Sequence, residues 1–167
     1  LDNGVYIPSL CGYRGRVEPA TACRLCYVEI EGRSGPVIIC AETVQDGMIV
    51  RTNTEATLKL AGSAFELIMS THPVVCSVCP ANRRCALQDI AKNLKFKLKQ
   101  KRLPNLLTDF PEDESHPDFN FDADRCIHCG KCVYACNEEE KAKAIDFNNR
   151  GLKTKVGVFG DGKIIDS

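Results

Sequence analysis

The chain has 167 residues, enough for one or two small domains, and 44% of them are hydrophobic. The 22 Lys and Arg balance the 22 Asp and Glu, so the chain lacks the basic excess that is usual in nucleic-acid-binding domains. No apolar run is long enough to span a bilayer. We therefore expect neither a nucleic-acid partner nor a direct membrane span.

Eleven cysteines are the most informative feature of the composition. Their number is odd and they come in tight CxxC groups, whereas a disulfide framework is usually even in number and belongs to a shorter secreted chain. Metal ligation in a reducing compartment is the better explanation, and it favours the cytoplasm.

The first predicted module, residues 1–52, mixes turn signals with short apolar runs. The runs CYVEIEG (26–32) and PVIICAE (36–42) predict strands joined at a Gly-rich turn, and MIVRT (48–52) predicts a further short strand.

Two helices are predicted in the second module, residues 53–103. Apolar residues recur at three- and four-residue spacing over 54–70, and either Asn53 or Thr54 can cap that helix. A second helix is expected to start near Ala86, with an apolar face that continues as far as Leu98.

Residues 104–124 are rich in Pro, Asp and Glu and predict a linker with little regular structure. The third module, residues 125–167, contains the runs KAIDFNNRG and KVGVFGDGKII, which predict short strands around Gly turns. Strands are thus predicted in the first and third modules and helices in the second.

The first candidate site has the spacing C-x11-C-x2-C-x13-C. Four thiolates suit either a zinc ion or a [2Fe–2S] cluster. A structural zinc ribbon usually pairs two CxxC motifs, whereas Cys11 and Cys40 are single, which favours iron–sulfur. The candidate ligands are Cys11, Cys23, Cys26 and Cys40.

The second candidate site lies in THPVVCSVCPANRRCALQDIA. Three thiolates, Cys76, Cys79 and Cys85, need a fourth ligand, and His72 can supply it through a neutral imidazole nitrogen. The pattern leaves three alternatives: a zinc site with three Cys and one His, a [3Fe–4S] cluster, or a [4Fe–4S] cluster with one His ligand.

The third candidate site is RCIHCGKCVYACNE. The C-x2-C-x2-C run of Cys126, Cys129 and Cys132 is typical of a [4Fe–4S] cluster and unusual for zinc. In two-cluster ferredoxins the fourth cysteine of such a run ligates the other cluster. Cys136 is therefore expected either to complete its own cluster or to bind a neighbouring one.

In this order the motifs resemble the amino-terminal iron–sulfur region shared by the complex I large iron–sulfur subunit, [FeFe]-hydrogenases and NAD-linked formate dehydrogenases. YIPSLC…TACRLCYVEIEG, THPVVCSVCPANRRCALQDIA and RCIHCGKCVYACNE resemble the three sites of that region. The His-plus-three-Cys motif is the most diagnostic part, and Cys136 favours the hydrogenase and formate dehydrogenase relatives.

The resemblance implies an α+β fold with an incomplete β-grasp [2Fe–2S] domain, a small helical [4Fe–4S] domain with one His and three Cys ligands, and an incomplete ferredoxin-like [4Fe–4S] domain. It implies one [2Fe–2S] cluster on the first site and two [4Fe–4S] clusters on the second and third sites. Cys136 would ligate a further [4Fe–4S] cluster whose other ligands lie downstream. Since the family has segments before and after these motifs, we expect the sequence to be a fragment at both ends.

The resemblance also implies an electron-transfer module of a multi-subunit oxidoreductase. Its partners would be flavin- or NAD-binding or ferredoxin-like subunits, and we expect no catalytic residues in this sequence. The alternative is a zinc-stabilised binding module whose basic run, Lys92–Arg102, contacts an acidic partner.

Overall fold

The computed structural model describes residues 4–107, 109–160 and 162–166. The outermost residues of the first and third predicted modules, 1–3 and 167, lie outside this description, as does position 161 within the last predicted strand segment. The described residues form helices and two small sheets, so the fold class is α+β, as predicted.

The first sheet contains β1 (Tyr27–Ile30), β2 (Val37–Ile38) and β3 (Val50–Arg51). It is antiparallel with β1 in the centre. Val28 and Ile30 are buried while the alternate residues of β1 are partly exposed, as the period of two in a strand requires. A strand forms in each of the three predicted segments, but the prediction of a strand over 36–42 is wrong beyond Ile38, because Ile39–Ala41 forms a 3₁₀ turn.

Helix α1 spans Glu55–Ser70, which confirms the predicted helix. Thr54 is the cap residue: its hydroxyl oxygen accepts a hydrogen bond from the Thr57 N–H at 3.3 Å. The helix buries Ala61, Phe65 and Met69, which stand four residues apart and therefore share one face.

Helix α2 spans Ala86–Leu94 and begins where predicted, but it ends earlier than its apolar pattern suggests. Lys95 adopts a left-handed conformation, φ 56°, and the Phe96 N–H bonds to the Ala91 carbonyl at 2.9 Å. The expectation that Leu98 continues the helical face is wrong. Leu98 still packs against the core, but from a non-helical segment.

Residues 104–124 have little regular structure within the described part of the chain. They contain no strand or helix apart from the start of a 3₁₀ turn at Ala123 and a bridge between Asp113 and Phe121. The Leu106 N–H bonds to the Ser70 carbonyl at 2.7 Å, so this segment is attached to the end of α1.

The third segment contains a helical element that the sequence patterns did not predict. A short helix, α3 (Lys131–Tyr134), runs into a π-helical turn at Ala135–Glu139. The predicted strands follow as β4 (Ile145–Asn148) and β5 (Lys155–Val158), which form an antiparallel hairpin.

One apolar core draws residues from all three cysteine-bearing segments. Partly buried side chains of the third segment, Ile127 and Cys129, pack against it. Among the described residues, no helix is long and apolar enough to cross a membrane. The buried members of the core are Leu10, Leu25, Phe65, Met69, Leu87, Ile90 and Ala91.

An aromatic latch, formed by Tyr13, Arg16, Tyr134 and Glu139, joins the first segment to the third. The two tyrosine rings lie 5.2 Å apart, and the Arg16 guanidinium lies 4.9 Å from the Tyr134 ring centre. The Tyr13 hydroxyl donates a hydrogen bond to the Glu139 carboxylate at 3.1 Å, which raises the pKa of Tyr13. The latch thus connects the chain just after Cys11 to the helical segment of the third site.

Candidate metal centres

The first site brings its cysteines together between the core and the first sheet. Cys11 and Cys26 are buried, and the Cys11 Sγ lies 3.4 Å from the Cys23 Sγ. Cys40 sits in a 3₁₀ turn whose first residue, Ile39, donates its N–H to the Cys26 carbonyl at 3.1 Å. The backbone therefore fixes the position of Cys40 relative to the CxxC motif.

The thiols of the first site perturb one another. Burial, together with the neighbouring thiols of Cys26, Cys11 and Cys23, raises the pKa of Cys40 to about 12. Burial alone would raise the pKa of Cys23, but backbone N–H groups, including those of Cys11 and Leu10, lower it. Four thiols at such close range need a cationic centre among them if all are to be thiolates, and N–H donors to sulfur are typical of iron–sulfur sites.

His72 of the second site follows directly after the end of α1. Its Nδ1 atom is buried and has no hydrogen-bond partner within the described residues. Burial is the main cause that lowers the pKa of His72, which favours the neutral ring, the form that binds metals. A buried imidazole nitrogen without a partner fits a ligand atom, since such a group is otherwise costly. The backbone of Cys126, in the third site, acts in the opposite direction and raises the pKa of His72.

The three cysteines of the second site are placed by two local elements. A 3₁₀ turn spans Cys76–Val78, and the Cys79 N–H closes it on the Cys76 carbonyl at 3.3 Å. Cys85 is the residue immediately before α2.

Gln88 holds the loop between Cys79 and Cys85, a role that sequence reasoning missed. Its side-chain oxygen accepts the Arg83 N–H at 2.9 Å, and its amide nitrogen donates to the Asn82 side-chain oxygen at 2.9 Å. The only sequence signal is a polar residue in the first turn of a helix that starts directly after a candidate ligand, Cys85.

The third site places Cys126 after a 3₁₀ turn, Cys132 within α3 and Cys136 in the π-helical turn. Burial is the main cause that raises the pKa of Cys126; the His128 backbone N–H lowers it, and the thiols of Cys132 and Cys129 raise it further. Backbone N–H groups also reach the sulfurs. The His128 N–H lies 3.4 Å from the Cys126 Sγ, and the Ala144 N–H lies 3.2 Å from the Cys136 Sγ.

His128, the histidine within the third motif, contacts the protein backbone. The His128 Nε2 lies 3.0 Å from the Thr154 carbonyl oxygen, so that nitrogen contacts the backbone just before β5.

Within residues 4–107, 109–160 and 162–166, no three His, Cys, Asp or Glu side chains converge at the spacing of a single bound metal ion.

The donor set fits iron–sulfur clusters on three observations. The Cys11 and Cys23 sulfurs of the first site lie 3.4 Å apart. Backbone N–H groups donate to Cys126 and Cys136. The second site has a buried imidazole nitrogen, the His72 Nδ1, without a hydrogen-bond partner among the described residues.

Three family models match the chain in the order of its three sites. Residues 1–55 match a 2Fe-2S iron-sulfur cluster binding domain. Residues 63–98 match an NADH-ubiquinone oxidoreductase-G iron-sulfur binding region, and residues 119–142 match a 4Fe-4S binding domain. The chain therefore has both 2Fe–2S and 4Fe–4S binding domains.

Relatives of three kinds match nearly the whole chain. The mitochondrial NADH-ubiquinone oxidoreductase 78 kDa subunit of Neurospora crassa is 30% identical over 93% of this chain. The NADPH-Fe(3+) oxidoreductase subunit alpha of Geobacter sulfurreducens is 36% identical over 92%, and iron hydrogenase 1 of Clostridium pasteurianum is 30% identical over 93%. The resemblance of the chain to the amino-terminal iron–sulfur region of this group of oxidoreductases is confirmed.

The chain spans 21% of the length of the Neurospora relative, 18% of the Geobacter relative and 27% of the hydrogenase. A solved structure of an NAD+-reducing [NiFe]-hydrogenase in the H2-reduced state aligns with 99% of this chain and 69% of its own. The TM-score is 0.85 at 29% identity. These matches support an iron–sulfur electron-transfer module of an oxidoreductase complex.

Proposed function

We propose that this chain relays single electrons between a flavin, NAD(P)H or ferredoxin partner and a catalytic centre. That centre would be a hydrogenase, a formate dehydrogenase or a complex I-like enzyme. The observation that carries the proposal is the shared core, against which Cys23, Cys85 and Cys129, one cysteine from each site, all pack. Cofactors on the three sites would therefore lie around one apolar core and close to one another, as electron relay requires.

The proposed ligand sets follow the three motifs. The first site would hold a [2Fe–2S] cluster in a β-grasp domain, residues 1–52, and the second a [4Fe–4S] cluster in a helical domain, residues 53–103. The third would hold a [4Fe–4S] cluster in a bacterial-ferredoxin-type domain, residues 125–167, with Cys136 binding a neighbouring cluster or completing this one. The ligands are Cys11, Cys23, Cys26 and Cys40; His72, Cys76, Cys79 and Cys85; and Cys126, Cys129 and Cys132.

The bound clusters would supply reversible one-electron transfer. The chain's own contribution is ligation, spacing and control of the reduction potential. The N–H groups of His128 and Ala144 donate toward sulfur and would stabilise the more negative, reduced form. Burial of Cys11 and Cys26 would keep water away from the first site. We place the working protein in the cytoplasm, with other oxidoreductase subunits as partners.

Metal and sulfide analysis tests the proposal. We expect protein purified without oxygen to be brown, to absorb visible light and to contain iron and acid-labile sulfide in near-equal amounts. The zinc-stabilised binding module would instead give a colourless protein with zinc and no sulfide, and that result would overturn the proposal.

A further inference from the structure

One arginine borders cavities at two different candidate sites. A cavity of about 210 Å³, the first-site cavity, is lined by residues that include Cys11, Cys40 and Arg16. Another of about 300 Å³, the third-site cavity, is lined by residues that include His128, Cys129 and again Arg16. Arg16 therefore lies where the surroundings of the first and third candidate sites meet.

The loop that follows the first cysteine fixes the position of Arg16. Its backbone N–H bonds to the Tyr13 carbonyl at 3.3 Å, and Gly15 within this turn has φ +89°, a conformation that favours glycine. The side-chain Nε donates to the Glu18 carbonyl at 2.6 Å, and the guanidinium lies 4.9 Å from the Tyr134 ring centre. Backbone and ring contacts thus hold the guanidinium in place.

The charge of Arg16 has no counter-ion in an ion pair within the part of the chain that the structure describes. Two carboxylates border the third-site cavity, but both have other partners. Glu138 pairs with Lys141 at 3.1 Å, and Asp146 accepts the Phe147 N–H at 2.7 Å. Because Arg16 is also partly buried, its field is less screened by water than that of an exposed cation.

The proposed clusters would place negative charge beside both cavities. Four thiolates exceed the positive charge of an iron–sulfur core, and each electron that a cluster accepts adds one more negative charge. A fixed cation nearby stabilises the reduced form more than the oxidised form, and so raises the reduction potential. A cation that borders two sites acts on both.

We propose that Arg16 is a shared cation that raises the reduction potentials of the first and third clusters together. The proposal deepens the function proposed above and rests on it. Since one charge acts on both clusters, its removal should lower both potentials while the difference between them changes little. The groove beside His72 is not lined by Arg16, so the second cluster should respond much less.

A purely structural role for Arg16 is the alternative. Arg16 belongs to the aromatic latch, and its contact with the Tyr134 ring would then serve only to join the first segment to the third. Loss of that contact would lower the melting temperature without changing two reduction potentials in the same direction. The potentials therefore distinguish the two roles.

The test is a redox titration of the cluster-loaded protein under anaerobic conditions, at low and at high NaCl concentration. Electron paramagnetic resonance follows each cluster separately. Arg16→Gln removes the charge, and Arg16→Lys keeps it. The matched control is Arg14→Gln, because Arg14 lies in the same loop but is exposed and lines neither cavity.

We expect Arg16→Gln to lower the equilibrium constant for reduction of both the first and the third clusters by about tenfold, which is about 59 mV for one electron. The second cluster should change by about twofold or less, since the attraction falls with distance. Arg14→Gln should change each constant by about twofold or less, and high salt should remove its effect because an exposed charge is screened. Arg16→Lys should keep both potentials close to their original values.

A shift in only one of the two clusters, or equal shifts in Arg16→Gln and Arg14→Gln, would overturn the proposal. So would a shift of the same size in Arg16→Lys, or a lower melting temperature with both potentials unchanged. Iron content and electron paramagnetic resonance of the unmodified protein separate these outcomes from failure of the proposed function. If the clusters form and accept electrons from dithionite, only the role of Arg16 is wrong; if no cluster forms, the proposed function itself fails.

Discussion

The first and second candidate sites differ in what fixes the positions of their proposed ligand residues. In the first, burial and backbone contacts dominate: Cys11 and Cys26 are buried, and the Cys11 Sγ lies 3.4 Å from the Cys23 Sγ. In the second, the loop depends on the side chain of Gln88, and one nitrogen of His72 has no protein partner within the described residues.

Because of this difference, we expect the two sites to differ in how strongly they respond to substitutions. Residues held by a packed core tolerate changes at the surface, because the core defines their positions. A partly exposed loop held by a few polar bonds responds to single polar substitutions. The second site should therefore be the one whose cluster is most easily changed, and five substitutions test that view.

The largest effect is expected from Cys26→Ala in the first site. Loss of one of four thiolates from a buried site should abolish the [2Fe–2S] signal in electron paramagnetic resonance while both [4Fe–4S] signals remain. Ser34→Ala, an exposed change in the turn between β1 and β2, is the control. Retention of the [2Fe–2S] signal in the Cys26 variant would contradict the ligand assignment.

His72→Cys should lower the reduction potential of the second cluster. A neutral imidazole is replaced by an anionic thiolate, and by comparison with two-His Rieske centres the shift should be on the order of 100 mV. Redox titration followed by electron paramagnetic resonance measures it. His116→Cys adds a thiol in the linker and should leave all potentials in place; an unchanged potential in the His72 variant would count against His72 as a ligand.

Gly130→Ala extends the comparison to the third site, where the backbone conformation restricts which residue can occupy the loop. Gly130 has φ +69°, and an added Cβ would lie 3.2 Å from the Phe147 ring. Gly151→Ala is a matched control, since Gly151 has φ +64° but nothing within 4 Å of its Cβ position.

A left-handed alanine costs roughly 1–2 kcal/mol, so both variants should lose that much unfolding free energy. Gly130→Ala should lose more, because the Phe147 ring must also move. Denaturant unfolding of the two proteins measures the difference. Equal losses would mean that contact with Phe147 does not restrict the third-site loop.

Gln88→Leu should weaken the second site selectively. It removes two hydrogen bonds from the loop before Cys85, each with a net contribution of about 0.5–1.5 kcal/mol, at the lower end because the loop is exposed. We expect faster loss of the second cluster to an iron chelator, followed by its electron paramagnetic resonance signal. Gln45→Leu, at another exposed position, is the control; similar release rates in both variants would leave Gln88 without a positioning role.

The smallest effect is expected from Tyr134→Leu, which removes the aromatic latch between the first and third segments. The melting temperature should fall by a few degrees, because ring contacts at the surface contribute little. Phe159→Leu changes a ring that is 93% exposed and should leave the melting temperature unchanged. If the Tyr134 variant instead lost the first cluster, the first site would depend on the third segment as well as on the core.

Regular apolar spacing made much of the fold predictable. Helix α1 and strand β1 have the periods of 3.6 and 2 that burial of one face requires. The end of α2 was not predictable, because Lys95 adopts a left-handed conformation that usually marks Gly or Asn. The π-helical turn that carries Cys136 was missed because four-residue α3 is too short to show a period.

The candidate ligands could be chosen from spacing, but their supporting contacts could not. Spacing along the chain shows which thiols can reach one centre. It does not show that Gln88 bonds back to the loop before it, or that Tyr13 meets Tyr134 across more than a hundred residues. Such contacts depend on how separate segments pack on the shared core.

The most direct test of electron relay is the distribution of a single electron over the clusters. The cluster-loaded protein receives less than one electron per chain by pulse radiolysis, and freeze-quench electron paramagnetic resonance follows each signal with time. If the chain relays electrons, the electron should move among the three clusters until the reduced fraction of each cluster follows its reduction potential. This final distribution should be the same whichever cluster was reduced first. An electron that stays on the cluster first reduced, with occupancies that never follow the potentials, would contradict it.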